Sequence, residues 1–132
     1  MPVRTPVEHK VFIVDDDESV RKALGRLIRS AGLQEVTFAS GNDFFAAISS
    51  KTKGCLLIDI RMPGLTGHDV QEKLRVMGAT IPVIAVSAED DPATRDRARL
   101  LGAVAFFRKP VDDQALLDTI LWVMDGAKDS AE

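Results

Sequence analysis

The chain has one cysteine, no apolar run long enough to cross a membrane and no surplus of positive charge, and each shortage removes a class of protein. The lone Cys55 cannot close an internal disulfide, and its place in the apolar run Cys55-Leu56-Leu57-Ile58 marks it as a buried core thiol. No segment reaches the roughly 20 apolar residues of a membrane helix. Met1 to Val7 likewise lacks the continuous apolar stretch of a signal peptide, so a soluble cytoplasmic protein is expected. The formal net charge of -3 argues against a dominant nucleic-acid role, because phosphate binding relies on a basic surface. Internal repeats, low-complexity tracts and signals of a second domain are also lacking, and 132 residues can bury one substantial core but not two.

What the chain does have is acid at the ends of apolar runs. Asp15-Asp16-Asp17 follow directly on Val11-Phe12-Ile13-Val14, and a lone Asp59 ends the run Cys55-Leu56-Leu57-Ile58. Short apolar runs read as buried parallel strands, and in open α/β sheets ligands bind at the loops after strand ends. Acids placed there converge on one crevice. Packed carboxylates repel one another and call for a cation, and hard oxygen ligands favour Mg²⁺ or Ca²⁺ over soft metals.

Strand-like and helix-like segments alternate five times, the pattern of a parallel sheet with helices on both faces. Val20, Leu24, Leu27, Ile28 and Ala31 follow helical spacing up to Gly32, a left-handed cap. Glu35 to Phe38 reads as the second strand, and Ser40 caps a helix burying Phe44, Phe45 and Ile48. After the Asp59 strand, Val70, Leu74 and Met77 line one face of a third helix closed by Gly78. Pro82 opens the strand Val83–Val86. Asp91 caps the fourth helix and Pro92 suits its first turn, but its arginines and acid leave only Ala93, Ala98, Leu100 and Leu101 to hold it, so loose docking is expected. Val104 to Phe107 makes the fifth strand. Leu116, Leu117, Ile120, Leu121 and Met124 form the stripe of a last helix starting near Asp112. The expected divisions are an N-terminal segment 1–9, one domain over 10–125 and a polar tail over 126–132.

Four pieces, each after its own strand, together resemble the receiver domain of two-component response regulators. They are Val14-Asp15-Asp16-Asp17, Asp59-Ile60-Arg61-Met62-Pro63-Gly64, Ser87-Ala88 and Lys109-Pro110. Any one alone is weak; all four in order are specific, and the resemblance covers Lys10 to about Met124. The stretch Gly102 to Asp112 is similar to the FixJ-like and NarL-like branch, in which a helix-turn-helix output domain usually follows a receiver; these 132 residues hold only the receiver part. The fold this implies is a doubly wound, five-stranded flavodoxin-like receiver fold.

The resemblance also implies roles. Asp59 would be the phosphoacceptor, taking a phosphoryl group from a sensor histidine kinase or phosphotransfer protein. Asp15 and Asp16, with Asp59 and the Arg61 main-chain carbonyl, would hold Mg²⁺, or Mn²⁺ in its place. Phosphoryl transfer is mainly alignment and charge neutralisation, which is the physical reason for a divalent ion beside an anionic nucleophile. Lys109 would bring a fixed positive charge, aimed by a cis Pro110. Ser87 would donate its hydroxyl to the phosphoryl oxygens, and Phe106, which lacks a hydroxyl, would answer by packing inward. The Arg61 guanidinium is close enough in sequence to touch the phosphate. Asp17 reads as a solvated acid at the start of the first helix, outside the metal shell. Phe106 and Phe107 must point to opposite faces, so one of them is core.

Expected partners are the kinase, which in receivers commonly contacts the first-helix surface (here Lys22, Arg26 and Arg29), and a second copy of the chain in a phosphorylation-dependent homodimer. Nucleic acid would be reached only through an output domain. Trp122, off the apolar stripe, suits a partner surface or a half-exposed ring. Three other readings are weaker. A flavin-binding domain would present hydroxyls and glycines, not three acids, to a phosphate. A haloacid-dehalogenase-like phosphatase would carry an acid where Arg61 stands, and a non-phosphorylated receiver-like interaction module typically loses an acid, the acceptor or the lysine. A stand-alone phosphate shuttle remains compatible with the same residues.

Overall fold

Alternate residues of the central strands feed two separate cores, which is why those strands read as unbroken apolar runs. The structure, a computed structural model, describes residues 10–89 and 91–129; the expected N-terminal segment 1–9 and the last residues of the tail lie outside the described residues. Among the described residues, five strands, β1 (Lys10–Val14), β2 (Gln34–Phe38), β3 (Cys55–Asp59), β4 (Val83–Ser87) and β5 (Ala103–Arg108), alternate with five helices. These are α1 (Glu18–Ser30), α2 (Gly41–Ala47), α3 (Gly67–Met77), α4 (Pro92–Leu100) and α5 (Asp113–Asp129). The strands pair in parallel in the order β2-β1-β3-β4-β5, the flavodoxin-like arrangement.

On one face, Phe12, Val14, Leu56, Ile58 and Val83 pack against Phe44 of α2 and Val70 and Leu74 of α3. On the other, Val11, Ile13, Cys55, Leu57 and Ile84 meet Ile28 of α1 and Leu116, Ile120 and Val123 of α5. Cys55 is fully buried, and desolvation pushes its thiol pKa up to about 12, so it is an inert core residue. A third, smaller cluster joins Ile60, Ala85 and Ala98, the last being the one buried residue of α4.

The caps fall where the side chains allow them. Ser40 and Asp91 accept from Asp43 N–H and Thr94 N–H, and Asp17 caps α1 by accepting from Ser19 and Val20. Thr66 and Asp69 form a capping box at α3, and Gly78 closes that helix at φ 75°.

Four expectations need correction. Ile48 is not in α2 but is its C-terminal cap residue, packed from outside the helix. Ala93 and Leu100 do not hold α4: both are exposed, Leu100 to 80 %, because the side of α4 facing the sheet runs through Ala98. Leu121 leaves the α5 stripe, being 43 % exposed, and Val123 takes its place in the core. Of the expected tail 126–132, residues 126–129 continue α5.

Candidate functional site

The site is built at the carboxyl ends of β1, β3, β4 and β5, beside the point where the strand order reverses between β1 and β3. Register sets its layout. Val14 lies opposite Ile58, so Asp15 comes level with Asp59; Asp59 pairs with Val86, and Ser87 pairs with Arg108. Main-chain bonds run on past the strand ends, with Ile60 N–H donating to the Val86 carbonyl (2.9 Å) and Lys109 N–H to the Ser87 carbonyl (2.8 Å). Those two bonds hold the loop starts that carry Asp59 and Lys109 against their neighbours.

Asp15 and Asp59 are buried and Asp16 is exposed, yet one carboxylate oxygen from each lies within 4.8 Å of the others. The Lys109 ammonium donates to Asp15 Oδ2 at 2.9 Å and stands 3.5 Å from Asp59 Oδ1. The Lys109–Pro110 peptide is cis. Asp15 also accepts from Asp17 N–H (2.9 Å), and Asp59 from Arg61 N–H (3.3 Å). Ser87 is fully buried, its hydroxyl oxygen accepting from Glu89 N–H.

Charge is crowded here. Burial first, and then the neighbouring Asp15 carboxylate, raise the Asp59 pKa to about 6 against the opposing pull of Lys109 and the Arg61 N–H. Burial also works against the Lys109 ammonium, but the carboxylates of Asp15 and Asp59 more than offset it, and its pKa stays above the ordinary lysine value. One ammonium thus faces two buried acids with a third at the rim, a donor set of hard oxygens able to hold a divalent cation.

Sequence reasoning expected Asp15, Asp16, Asp59, Ser87 and Lys109 together, and the strand ends bring them together. Asp17 turns away as the α1 cap. Phe106 and Phe107 do face opposite ways, Phe106 toward the Ala98 cluster and Phe107 toward the α1–α5 core, and both are only half-buried. The Arg61 guanidinium, close enough in sequence to touch a phosphate, is ion-paired with Glu89. Two supporting residues were not foreseen. Arg21 donates from its guanidinium to the Asp15 carbonyl (2.7 Å), and Glu89 holds Arg61. Arg21 sits six positions after Asp15, as the fourth residue of α1, where no local motif marks it.

Gly67, the first residue of α3, makes a close backbone approach. Its N–H donates to the Ile60 carbonyl at 2.9 Å, and a Cβ there would lie 2.6 Å from Ile60 Cα and 2.7 Å from the Asp59 carbonyl oxygen. The substitution Gly67→Ala must therefore move the backbone next to Asp59. It is expected to cost about 1–3 kcal/mol by overpacking, read as a lower urea midpoint; an unchanged midpoint would mean the loop yields freely.

Residues 11–121 match the response regulator receiver domain family. The chain belongs to that family. One relative, "Response regulator protein TmoT" of Ectopseudomonas mendocina, is 41 % identical over 113 residues, 86 % of this chain and 51 % of the relative. "Transcriptional regulatory protein FixJ" of Azorhizobium caulinodans is 34 % identical over 115 residues, 87 % of this chain and 54 % of the relative. Among solved structures, the response regulator StyR superposes with a TM-score of 0.85 at 38 % identity, covering 94 % of this chain and 64 % of that one. FixJ-N gives 0.82 at 30 % identity, covering 89 % and 94 %. The receiver domain thus spans about half the length of the curated relatives it matches. Family membership makes it a signalling phosphoacceptor and not a classical enzyme. Among the described residues no helix is long and apolar enough to cross a membrane.

Proposed function

We propose that this receiver domain accepts a phosphoryl group on Asp59 from the phosphohistidine of a sensor histidine kinase or phosphotransfer protein in the cytoplasm. The observation that carries the reading is a buried carboxylate at the end of β3, facing two further acids within 4.8 Å and an ammonium at 3.5 Å. An Asp59 carboxylate oxygen attacks phosphorus, the new P–O bond forms as the P–N bond to the donor imidazole breaks, and the electron pair leaves with the imidazole nitrogen. Lys109 supplies fixed positive charge to the oxygens as negative charge gathers there. Ser87, freed from its bond with Glu89 N–H, turns its hydroxyl to a phosphoryl oxygen. Mg²⁺, or Mn²⁺, would be held by Asp15, Asp16, Asp59 and the Arg61 carbonyl, and its chemistry there is neutralisation of the repulsion between anionic donor and anionic acceptor. A small acyl-phosphate donor with Mg²⁺ tests this: intact mass should rise by one phosphoryl group, and no gain would defeat the reading.

The output follows from charge. An aspartyl phosphate adds roughly one and a half to two negative charges at the strand ends, and the parts placed to answer are Ser87, Lys109, α4 and Phe106, over which the Arg95 guanidinium sits at 5.3 Å. The surface of α4, β5 and α5 mixes Arg95, Arg97, Arg99 and Arg108 with Asp112, Asp113 and Asp118, a pattern that can pair with its own copy about a two-fold axis. Phosphorylation then favours a homodimer, and control of transcription, the activity named in relatives such as FixJ, is reached through an output domain or partner. Sedimentation with a beryllofluoride phosphate mimic and Mg²⁺ should show a monomer shifting to dimer; a monomer under both conditions at high concentration would rule dimerisation out as the output of this domain.

A further inference from the structure

Each polar group of Asp15 has a partner in the protein. Its N–H donates to the Phe38 carbonyl (3.2 Å), its Oδ1 accepts from Asp17 N–H (2.9 Å) and its Oδ2 accepts from the Lys109 ammonium (2.9 Å). The fourth group, the carbonyl, accepts at 2.7 Å from the Arg21 guanidinium. Arg21 is itself well seated. Its N–H donates to the Asp17 carbonyl (3.0 Å) in the first turn of α1, and, half-buried, it walls a groove between α1 and β2 together with Gly25 and Thr37. A bond from a charged donor is stronger than one between neutral groups, so this one holds its peptide plane firmly.

The plane in question joins Asp15 to Asp16. Asp16 is exposed, yet one of its carboxylate oxygens comes within 4.8 Å of an oxygen of Asp15 and one of Asp59. What orients an exposed side chain is chiefly the main chain on which it stands. Rotation of the Asp15–Asp16 plane would carry the Asp16 carboxylate away from the other two, while the Asp15 carboxylate stayed anchored by Lys109 and Asp17 N–H. By charge alone, a guanidinium is a poor neighbour for a cation site, since it repels a divalent ion. Charge and positioning therefore act on the site with opposite signs.

We propose that Arg21 is a positioning residue for the divalent-cation site, setting the Asp15–Asp16 peptide so that the Asp16 carboxylate faces the ion. The inference rests on the reading that Asp15, Asp16 and Asp59 hold Mg²⁺. Residues that orient metal ligands from behind typically change affinity about 10–100-fold when removed. Loss of Arg21 should thus weaken Mg²⁺ binding, against the tightening that loss of a positive charge would give by itself.

Mg²⁺ titrations followed by amide NMR on the parent, Arg21→Met and Arg21→Lys test this, with Arg21→Gln replacing Arg21→Met if the latter does not fold. Arg21→Met keeps an apolar stem but neither donor nor charge, and should weaken Mg²⁺ binding about tenfold or more; Arg21→Lys keeps both and should recover part of the loss. In an Asp16→Ala background, Arg21→Met should cost less than about a further twofold, because the ligand it positions is gone. With chelator in place of Mg²⁺, the backbone order parameters of Asp16 and Asp17 should fall from about 0.85 in the parent to below about 0.6 in Arg21→Met, with α3 and α5 unchanged. Unchanged or tighter Mg²⁺ binding in Arg21→Met overturns the inference, as does the same tenfold loss with and without Asp16, which would mean a merely structural role. If the parent binds no Mg²⁺, the metal-site reading fails, and the order parameters measured in chelator still decide whether Arg21 holds the peptide.

Discussion

Asp59→Asn is expected to abolish phosphorylation, leaving intact mass unchanged after incubation with an acyl-phosphate donor and Mg²⁺ under conditions that label the parent. The two side chains are nearly the same shape, so Asn should keep the fold and the bond from Arg61 N–H. What it lacks is the anionic oxygen that must attack phosphorus. Asp15 is not a substitute, because Lys109 and Asp17 N–H already occupy its oxygens, and Asp16 is exposed at the rim. Lys109→Ala should instead slow labelling without moving its site, since it removes charge from around the transferred group and not the nucleophile. Equal labelling of Asp59→Asn and parent would sink the assignment of Asp59.

The second large effect is on stability, and its sign depends on pH. In metal-free buffer the folded-state pKa of Asp59, about 6, lies above its ordinary value of 3.8. Well below pH 3.8 the group is protonated whether the chain is folded or not, and it contributes nothing. As pH rises from 4 to 6 the unfolded chain gives up the proton first, so stability falls; above 6 the penalty is complete, at roughly 2–3 kcal/mol. Asp59→Asn should therefore be more stable than the parent at neutral pH with a chelator present, and the two should converge as pH falls well below 3.8. Mg²⁺ should reverse the parent's deficit because it binds the folded state, with a gain of about 2.7 kcal/mol at a hundredfold excess over its Kd. Asp16→Ala should lose most of that gain and little else, since its side chain is exposed. Urea unfolding across pH, with Mg²⁺ and with chelator, reads all of these; a Mg²⁺ affinity unchanged in Asp16→Ala by titration calorimetry would remove Asp16 from the ligand set.

Much of the site is legible in the chain because strand ends are written in the sequence. Asp15 and Asp59 each stop an apolar run, and register in a parallel sheet then places them side by side. Helix faces were less legible. Leu121 was expected in the α5 stripe and Val123 was not, because both are apolar and a difference of two residues on a helix decides which one meets α1. Ala93 and Leu100 were assigned to the docking face of α4 for the same reason: a mainly charged helix offers too few apolar residues to define a stripe.

By itself the sequence determined the alternation of strands and helices, the caps at Ser40, Asp91 and Gly78, and the acids, hydroxyl and lysine of the site, since these depend on local backbone preference and on residue type. Only the tertiary structure decided how the charges are shared. It paired Arg61 with Glu89, tied Arg21 to the Asp15 main chain, brought Gly67 against the Asp59 carbonyl and bonded Gln71 to Ala98. Each of these contacts depends on how far one element lies from another and at what angle, and a side chain whose partner is chosen by that distance carries no mark of it in its neighbours along the chain.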